Sequence, residues 1–246
     1  MLEGLDQAAG LRRLVGGAPL ALLAFPVPAH EPQRWIAQLA HALRAVGRRP
    51  MVLDAGGGVV ASAFGMRLRH ELLDLLAGRR RFDEVARETA DGVYVLRGDR
   101  GVDEFVASGA PPVRLLQGFA RLSHGFDELM LAMPAAELAC LAAPQTSVPV
   151  LGVQAGPTGV MDGYSLAKRM AGDFGYRRFA CVVRDARDEG QARADHTRLA
   201  AAAGRFLSAD VAYAGWLPRA AARGGIALAR TAQALIAAAA VPLAAA

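Results

Sequence analysis

The chain has 246 residues, 53% of them hydrophobic, which is enough for one sizeable core and gives no length argument for a second. Its net charge is +5, carried almost wholly by arginine because Lys168 is the only lysine, and this balance alone identifies no nucleic-acid or lipid partner. Two cysteines, Cys140 and Cys181, without CxxC spacing exclude a disulfide framework and a cysteine-rich zinc site, and five scattered histidines form no HExxH pattern.

The first element in chain order is a short N-terminal segment in which Leu5, Ala8 and Leu11 recur at helical spacing and give one apolar stripe. Arg12-Arg13, the apolar stretch Leu20–Val27 and Pro28-Ala29 together imitate a secretory leader. Glu3 and Asp6 place acid in the charged region, however, and the apolar stretch is used at once as a strand. A cytoplasmic protein is therefore expected.

Leu20–Phe25 reads as a buried strand. Gln33–Val46 follows with Ile36, Leu39, Ala40, Leu43 and Val46 at helical spacing, and Gly47 ends it. Met51–Leu53 is the next strand, Leu68–Leu76 a short helix, Val93–Leu96 a strand, Val113–Leu122 a helix and Leu129–Met133 a strand. The second half repeats the alternation. Val148–Val153, Phe179–Val183 and Val211–Leu217 read as strands; Thr158–Phe174, Gln191–Phe206 and the alanine-rich end read as helices. Strands without polar alternation, each followed by a helix, imply a mostly parallel sheet with helices on both faces. Functional loops of such a sheet gather at the carboxyl ends of its strands.

Two features carry a family resemblance. Asp6-Gln7-Ala8-Ala9-Gly10-Leu11-Arg12 resembles the DQAxxLR segment of flagellar-number regulators of the FlhG/FleN type. The order of elements that follows resembles the MinD/ParA ATPase superfamily, which has the SIMIBI-type P-loop NTPase fold. Within it, Gln38–Leu43, Gly47-Arg48-Arg49 and Val52-Leu53-Asp54-Ala55 resemble the family's "NLAxAL…GKRVLLLDAD" stretch, and Tyr213–Arg219 resembles "YLGFIPRD". The resemblance divides the chain into a partner-binding segment, 1–17, and a MinD/ParA-like domain, 18–246.

The family's phosphate loop, GKGGVGKT, falls on Pro26-Val27-Pro28-Ala29-His30-Glu31-Pro32-Gln33. A phosphate loop works through glycine backbone amides that converge on oxygens, helped by a lysine. Three prolines remove donors here, Glu31 adds a like charge, and Pro32 takes the lysine position. The second aspartate of "DAD" becomes Gly56, the aspartate near metal and water becomes Ala132, and the adenine-contacting asparagine becomes Arg184. Losing several charge-assisted contacts, roughly 1.5–3 kcal/mol each, removes most of the binding energy. The expectation is a pseudo-ATPase with no catalytic residues, no metal and no cofactor.

In that family the DQAxxLR segment binds and stimulates a flagellar GTPase of the signal-recognition type. The resemblance thus assigns partner contact to Asp6, Gln7, Ala8, Leu11 and Arg12, with Gln7 beside the attacking water. A flagellar transcription regulator and a basal-body component are further candidate partners. The alternatives are an ordinary packed N-terminal helix, a functioning ATPase with a rearranged loop, and a pseudo-ATPase adaptor of cellulose or pilus assembly. Gly56-Gly57-Gly58 reads as a flexible strand-end loop rather than a phosphate cradle, and Arg79-Arg80-Arg81 as a solvated turn. Ile226–Leu243 reads as a docking helix in preference to a membrane anchor at the pole or inner membrane. Both cysteines are expected to be buried, and the protein is expected to be monomeric without direct nucleic-acid contact.

Overall fold

The computed structural model describes residues 20–28, 33–122, 125–219 and 225–242. The strands are β1 (Ala21–Pro26), β2 (Pro50–Asp54), β3 (Arg87–Glu88), β4 (Tyr94–Arg97), β5 (Glu128–Met133), β6 (Val150–Gln154), β7 (Arg178–Ala186), β8 (Asp210–Pro218) and β9 (Val241–Pro242). The helices that separate them include α1 (Arg34–Ala45), α2 (Val59–Ala63), α3 (Leu72–Leu76), α4 (Phe82–Val85), α5 (Asp99–Ala107), α6 (Pro112–Leu122) and α7 (Ala135–Leu141). In the second half come α8 (Pro157–Asp173), α9 (Glu189–Leu207) and α10 (Ile226–Ala239).

Six strands lie in the order β3-β4-β2-β5-β1-β9 and three more in the order β6-β7-β8. A parallel bridge between Ala24 and Pro149 brings β6 beside β1, so the two sets continue one another. The ladders β1–β5, β2–β5, β2–β4, β6–β7 and β7–β8 are parallel; the short β3 and β9 pair antiparallel with β4 and β1. The α/β arrangement expected from the sequence is thus the one observed.

Strand alternation sorts the core into two layers. Leu22, Leu53, Leu131 and Val183 face α5, α6, α7, α8 and α9. Leu23, Phe25, Val52, Met130 and Val182 face α1, α2 and α10. Leu228, Ala232 and Leu235 of α10 are buried in the second layer, so this helix docks on its own domain. Among the described residues, no helix is long and apolar enough to cross a membrane.

Gly47, at φ +82°, lets the Arg48 amide return to the Leu43 carbonyl and stops α1. The turn delivers two arginines to the start of β5. Arg48 Nε donates to Glu128 Oε1 at 2.5 Å, and the Arg49 amide donates to Asp127 Oδ2 at 2.9 Å. Burial raises the Glu128 carboxyl above its ordinary range, while Arg48 opposes that shift. The arginine turn at 79–81 is exposed and paired within itself: Arg79 with Asp74, Arg80 with Glu84, Arg81 with Asp83.

One expectation needs correction. Cys140 is exposed, because α7 turns it away from the core that Leu138 and Leu141 enter. Cys181 lies inside β7, where burial pushes its thiol up to about 12.

Candidate functional site

Of the eight residues aligned with the phosphate loop, the structure describes Pro26, Val27, Pro28 and Gln33; residues 29–32 lie outside it, as do Asp6, Gln7, Ala8, Leu11 and Arg12. Pro26 ends β1, and Val27 continues the ladder by donating its amide to the Met133 carbonyl. Beyond these strand ends opens a cleft of about 880 Å³ between the carboxyl ends of β1, β6 and β7 and the exposed flank of α8.

An indole forms the floor of the cleft. Trp35, in the first turn of α1, packs edge-on to Phe25 with ring centroids 5.6 Å apart. Its Nε1 donates to Gln33 Oε1 at 2.6 Å, which fixes the side chain at the helix entry. The ring lies so close over Gly152 of β6 that a Cβ there would overlap it. Arg184 of β7 lies over the ring, its guanidinium carbon 5.8 Å from the Trp35 centroid. Strand end, helix entry and β6 thus all pack on the Trp35 indole.

The β2 end is closed differently. Asp54 is fully buried, and Oδ2 accepts the amides of Val60 and Ala61, both at 2.8 Å. It acts as a cap brought in from the preceding strand, because Gly58, in the left-handed region at φ +75°, has no side chain to do so. The Gly56 amide approaches Asp54 Oδ1 at 3.4 Å, and the Gly57 amide donates to Asp99 Oδ1 at 2.6 Å. Arg97 Nε holds the other Asp99 oxygen at 2.6 Å. The triple glycine is therefore a strand-end turn whose amides face two carboxylates. Burial raises the Asp54 carboxyl, opposed by the amides it accepts and reinforced by Asp99 nearby.

At the β5 end Ala132 is buried, and its carbonyl accepts the Ala55 amide at 2.8 Å. At β6, Gly156 at φ +105° turns the chain into α8, and its amide donates to buried Asp195 Oδ2 at 2.9 Å. Arg198 Nη2 holds the other Asp195 oxygen at 2.5 Å. Gly159 and Gly163 let α8 sit directly on Gln154 and Val153. Lys168 is exposed on this helix. No group of three or more His, Cys, Asp or Glu side chains suited to a metal ion occurs among the described residues.

The sequence had singled out Gly56, Ala132 and Arg184, and the structure places all three at this end of the sheet. Sequence reasoning missed Trp35, Gly152 and Asp195. An aromatic in the first turn of a helix after a proline-rich strand end was the available signal for Trp35. Nothing local marks Gly152 or Asp195.

No protein-family profile matches the chain. A curated relative, antiactivator FleN of Pseudomonas aeruginosa, is 28% identical over 187 residues. That match covers 73% of this chain and 66% of the relative, a little under two thirds of its length. Among solved structures, the MinD cell division protein of Aquifex aeolicus superposes with a TM-score of 0.63 at 13% identity, over 88% of this chain and 96% of that one. The cell division ATPase MinD of Pyrococcus furiosus gives 0.58 at 15% identity, over 87% and 97%. A partition protein gives 0.58 at 16% identity, over 94% and 76%. The chain therefore has the α/β fold of MinD, and its sequence is similar to that of a FleN antiactivator.

Proposed function

We propose that this chain is a non-catalytic regulator of the FleN type, a MinD-fold protein that controls flagellar number or placement through protein contacts rather than ATP turnover. What supports the reading most is the state of the strand ends. The aspartate that ends β2 is spent inside the fold on the amides of α2, and the turn glycines direct their amides at Asp54 and Asp99. Ala132, one residue before the end of β5, stands where the resemblance expects a carboxylate, and Trp35 fills the helix entry beside β1. A triphosphate needs converging amides and a cation, and its metal needs a free carboxylate. The described residues do not fit that requirement.

Without a nucleotide to toggle it, such a protein stays in one state, and regulation passes to what its surface contacts. The N-terminal segment is the first such surface. Leu11 supplies an apolar anchor, Asp6 and Arg12 flank it, and Gln7 reaches the attacking water of a flagellar GTPase of the signal-recognition type. The protein works in the cytoplasm as a monomer.

The test is GTP hydrolysis by that purified GTPase, with binding measured in parallel. A peptide spanning Met1–Leu14 is expected to stimulate hydrolysis without the α/β domain. Gln7→Ala should abolish stimulation and leave binding nearly unchanged. Leu11→Asp should abolish binding itself, since it carries an unpaired charge into an apolar contact. Full stimulation by Gln7→Ala would remove the assigned role, and loss of thermal stability on deleting Met1–Leu14 would make the segment an internal packing element.

A further inference from the structure

At the β3 edge of the sheet, two neighbouring cavities meet at Asp83 and Arg87, which line both. The first, about 430 Å³, is bordered by Arg67, Arg69, His70 and Arg87. The second, about 530 Å³, is bordered by Phe82, Tyr94 and Phe126. These three rings pack on one another, with centroids 4.7 Å apart for Tyr94–Phe126 and 5.9 Å for Phe82–Phe126.

The charges here do not cancel. Asp83 is taken by Arg81 at 2.7 Å, and Glu84 by Arg80 at 3.1 Å and by the Arg81 amide at 2.8 Å. Glu88 accepts the Tyr94 hydroxyl at 2.8 Å. His70 lies 3.8 Å from Asp74. No carboxylate of the described residues comes within 4.0 Å of Arg67, Arg69 or Arg87. Three exposed guanidiniums therefore border one cavity with no internal counter-ion, whereas the nearby Arg79, Arg80 and Arg81 are each paired.

The backbone adds a direction. β3 is the terminal strand on this side and pairs only with β4, Arg87 opposite Val95 and Glu88 opposite Tyr94. The Thr89 amide donates to the Val93 carbonyl, so the alternation of an antiparallel ladder turns the Glu88 amide and carbonyl outward. An outward amide–carbonyl pair at a sheet edge accepts an extended chain.

We propose that the β3 edge is a docking site for an extended acidic segment of a partner protein. Its carboxylates enter the Arg67–Arg69–Arg87 cavity, and an apolar side chain of the same segment enters the Phe82–Tyr94–Phe126 cavity. Guanidinium forks suit carboxylates, and exposed arginines around open cavities suit a polypeptide laid across the surface better than an enclosed small molecule. The proposal is independent of the nucleotide argument and of the N-terminal segment.

The probe is a fluorescein-labelled octapeptide that alternates glutamate and leucine, titrated with the full chain by fluorescence anisotropy. Saturable binding is expected, weakened about tenfold or more by the combined Arg67→Gln, Arg69→Gln and Arg87→Gln substitutions and by high salt. Arg114→Gln, on exposed α6, should leave it unchanged. Circular dichroism checks folding; if the triple variant does not fold, Arg69→Gln and Arg87→Gln singly are each expected to weaken binding severalfold. Absence of saturable binding, or equal affinity in the arginine variants, overturns the proposal. Tighter binding of a short DNA duplex than of the peptide also overturns it, in favour of nucleic acid.

Discussion

Asp54 illustrates how a residue that resembles a nucleotide ligand becomes a structural one. Its carboxylate replaces the side-chain cap that Gly58 lacks, so Val60 and Ala61 depend on it for hydrogen-bond acceptors deep in the fold. Asp54→Ala should cost about 2–4 kcal/mol, because two buried amides lose their partner, whereas Asp54→Asn keeps one acceptor oxygen and should cost less than half as much. Urea denaturation of both variants measures the difference, and equal losses would contradict the capping role. Glu128 provides a pH dependence. Its carboxyl titrates above the ordinary 4.5 in the folded chain because of burial, so the folded form binds this proton more tightly than the unfolded one. The group's contribution to stability is therefore greatest below about 4.5 and declines as pH rises through the raised value. Glu128→Gln removes that decline. The Tm of the variant minus that of the wild type should increase from about pH 4 to about pH 7; a flat or falling difference would show that Arg48 outweighs burial.

At the scale of elements, α8 is held onto β6 by what its glycines leave out. A Cβ at Gly159 would overlap the Gln154 carbonyl, while one at Gly172, on the same helix, meets nothing within 4 Å. Gly159→Ala should lose about 2–3 kcal/mol or more as the helix lifts from the strand. Gly172→Ala should gain about 0.5–1 kcal/mol by reducing the freedom of the unfolded chain. Thermal denaturation of the pair separates packing from propensity, and similar effects at both positions would refute the contact. The long elements were legible in the sequence because their apolar runs are long enough to show a period: β1, β5, β6, β7, α1, α8 and α9 all lie within a few residues of expectation. The short ones were not. β3 is two exposed residues and β9 two at the far edge of β1, so neither period nor hydrophobicity marks them. The site divides in the same way. Pro32 and Ala132, at the positions where the resemblance expects lysine and aspartate, are visible letter by letter. The packing of Trp35 over Gly152, and the hydrogen bond from the Gly156 amide to Asp195, arise only when distant helices and strands are brought together.

For the whole molecule, two apolar layers pack on one sheet, and α10 closes the second layer from the far end of the chain. A fold held this way needs no ligand to complete its core, which is consistent with a MinD-type scaffold kept for its surface. A monomer is expected at all nucleotide concentrations, and light scattering that showed dimers only with ATP would restore a nucleotide switch. The central claim, that this scaffold regulates without ATP, is tested most directly by thermal unfolding of the full chain across a Mg-ATP titration, since a ligand bound only by the native state must raise its Tm. The account predicts an unchanged Tm up to about millimolar nucleotide, where a site of about ten-micromolar affinity would add roughly 2.7 kcal/mol. A saturable rise in Tm, lost when the magnesium is removed by excess chelator, would contradict it.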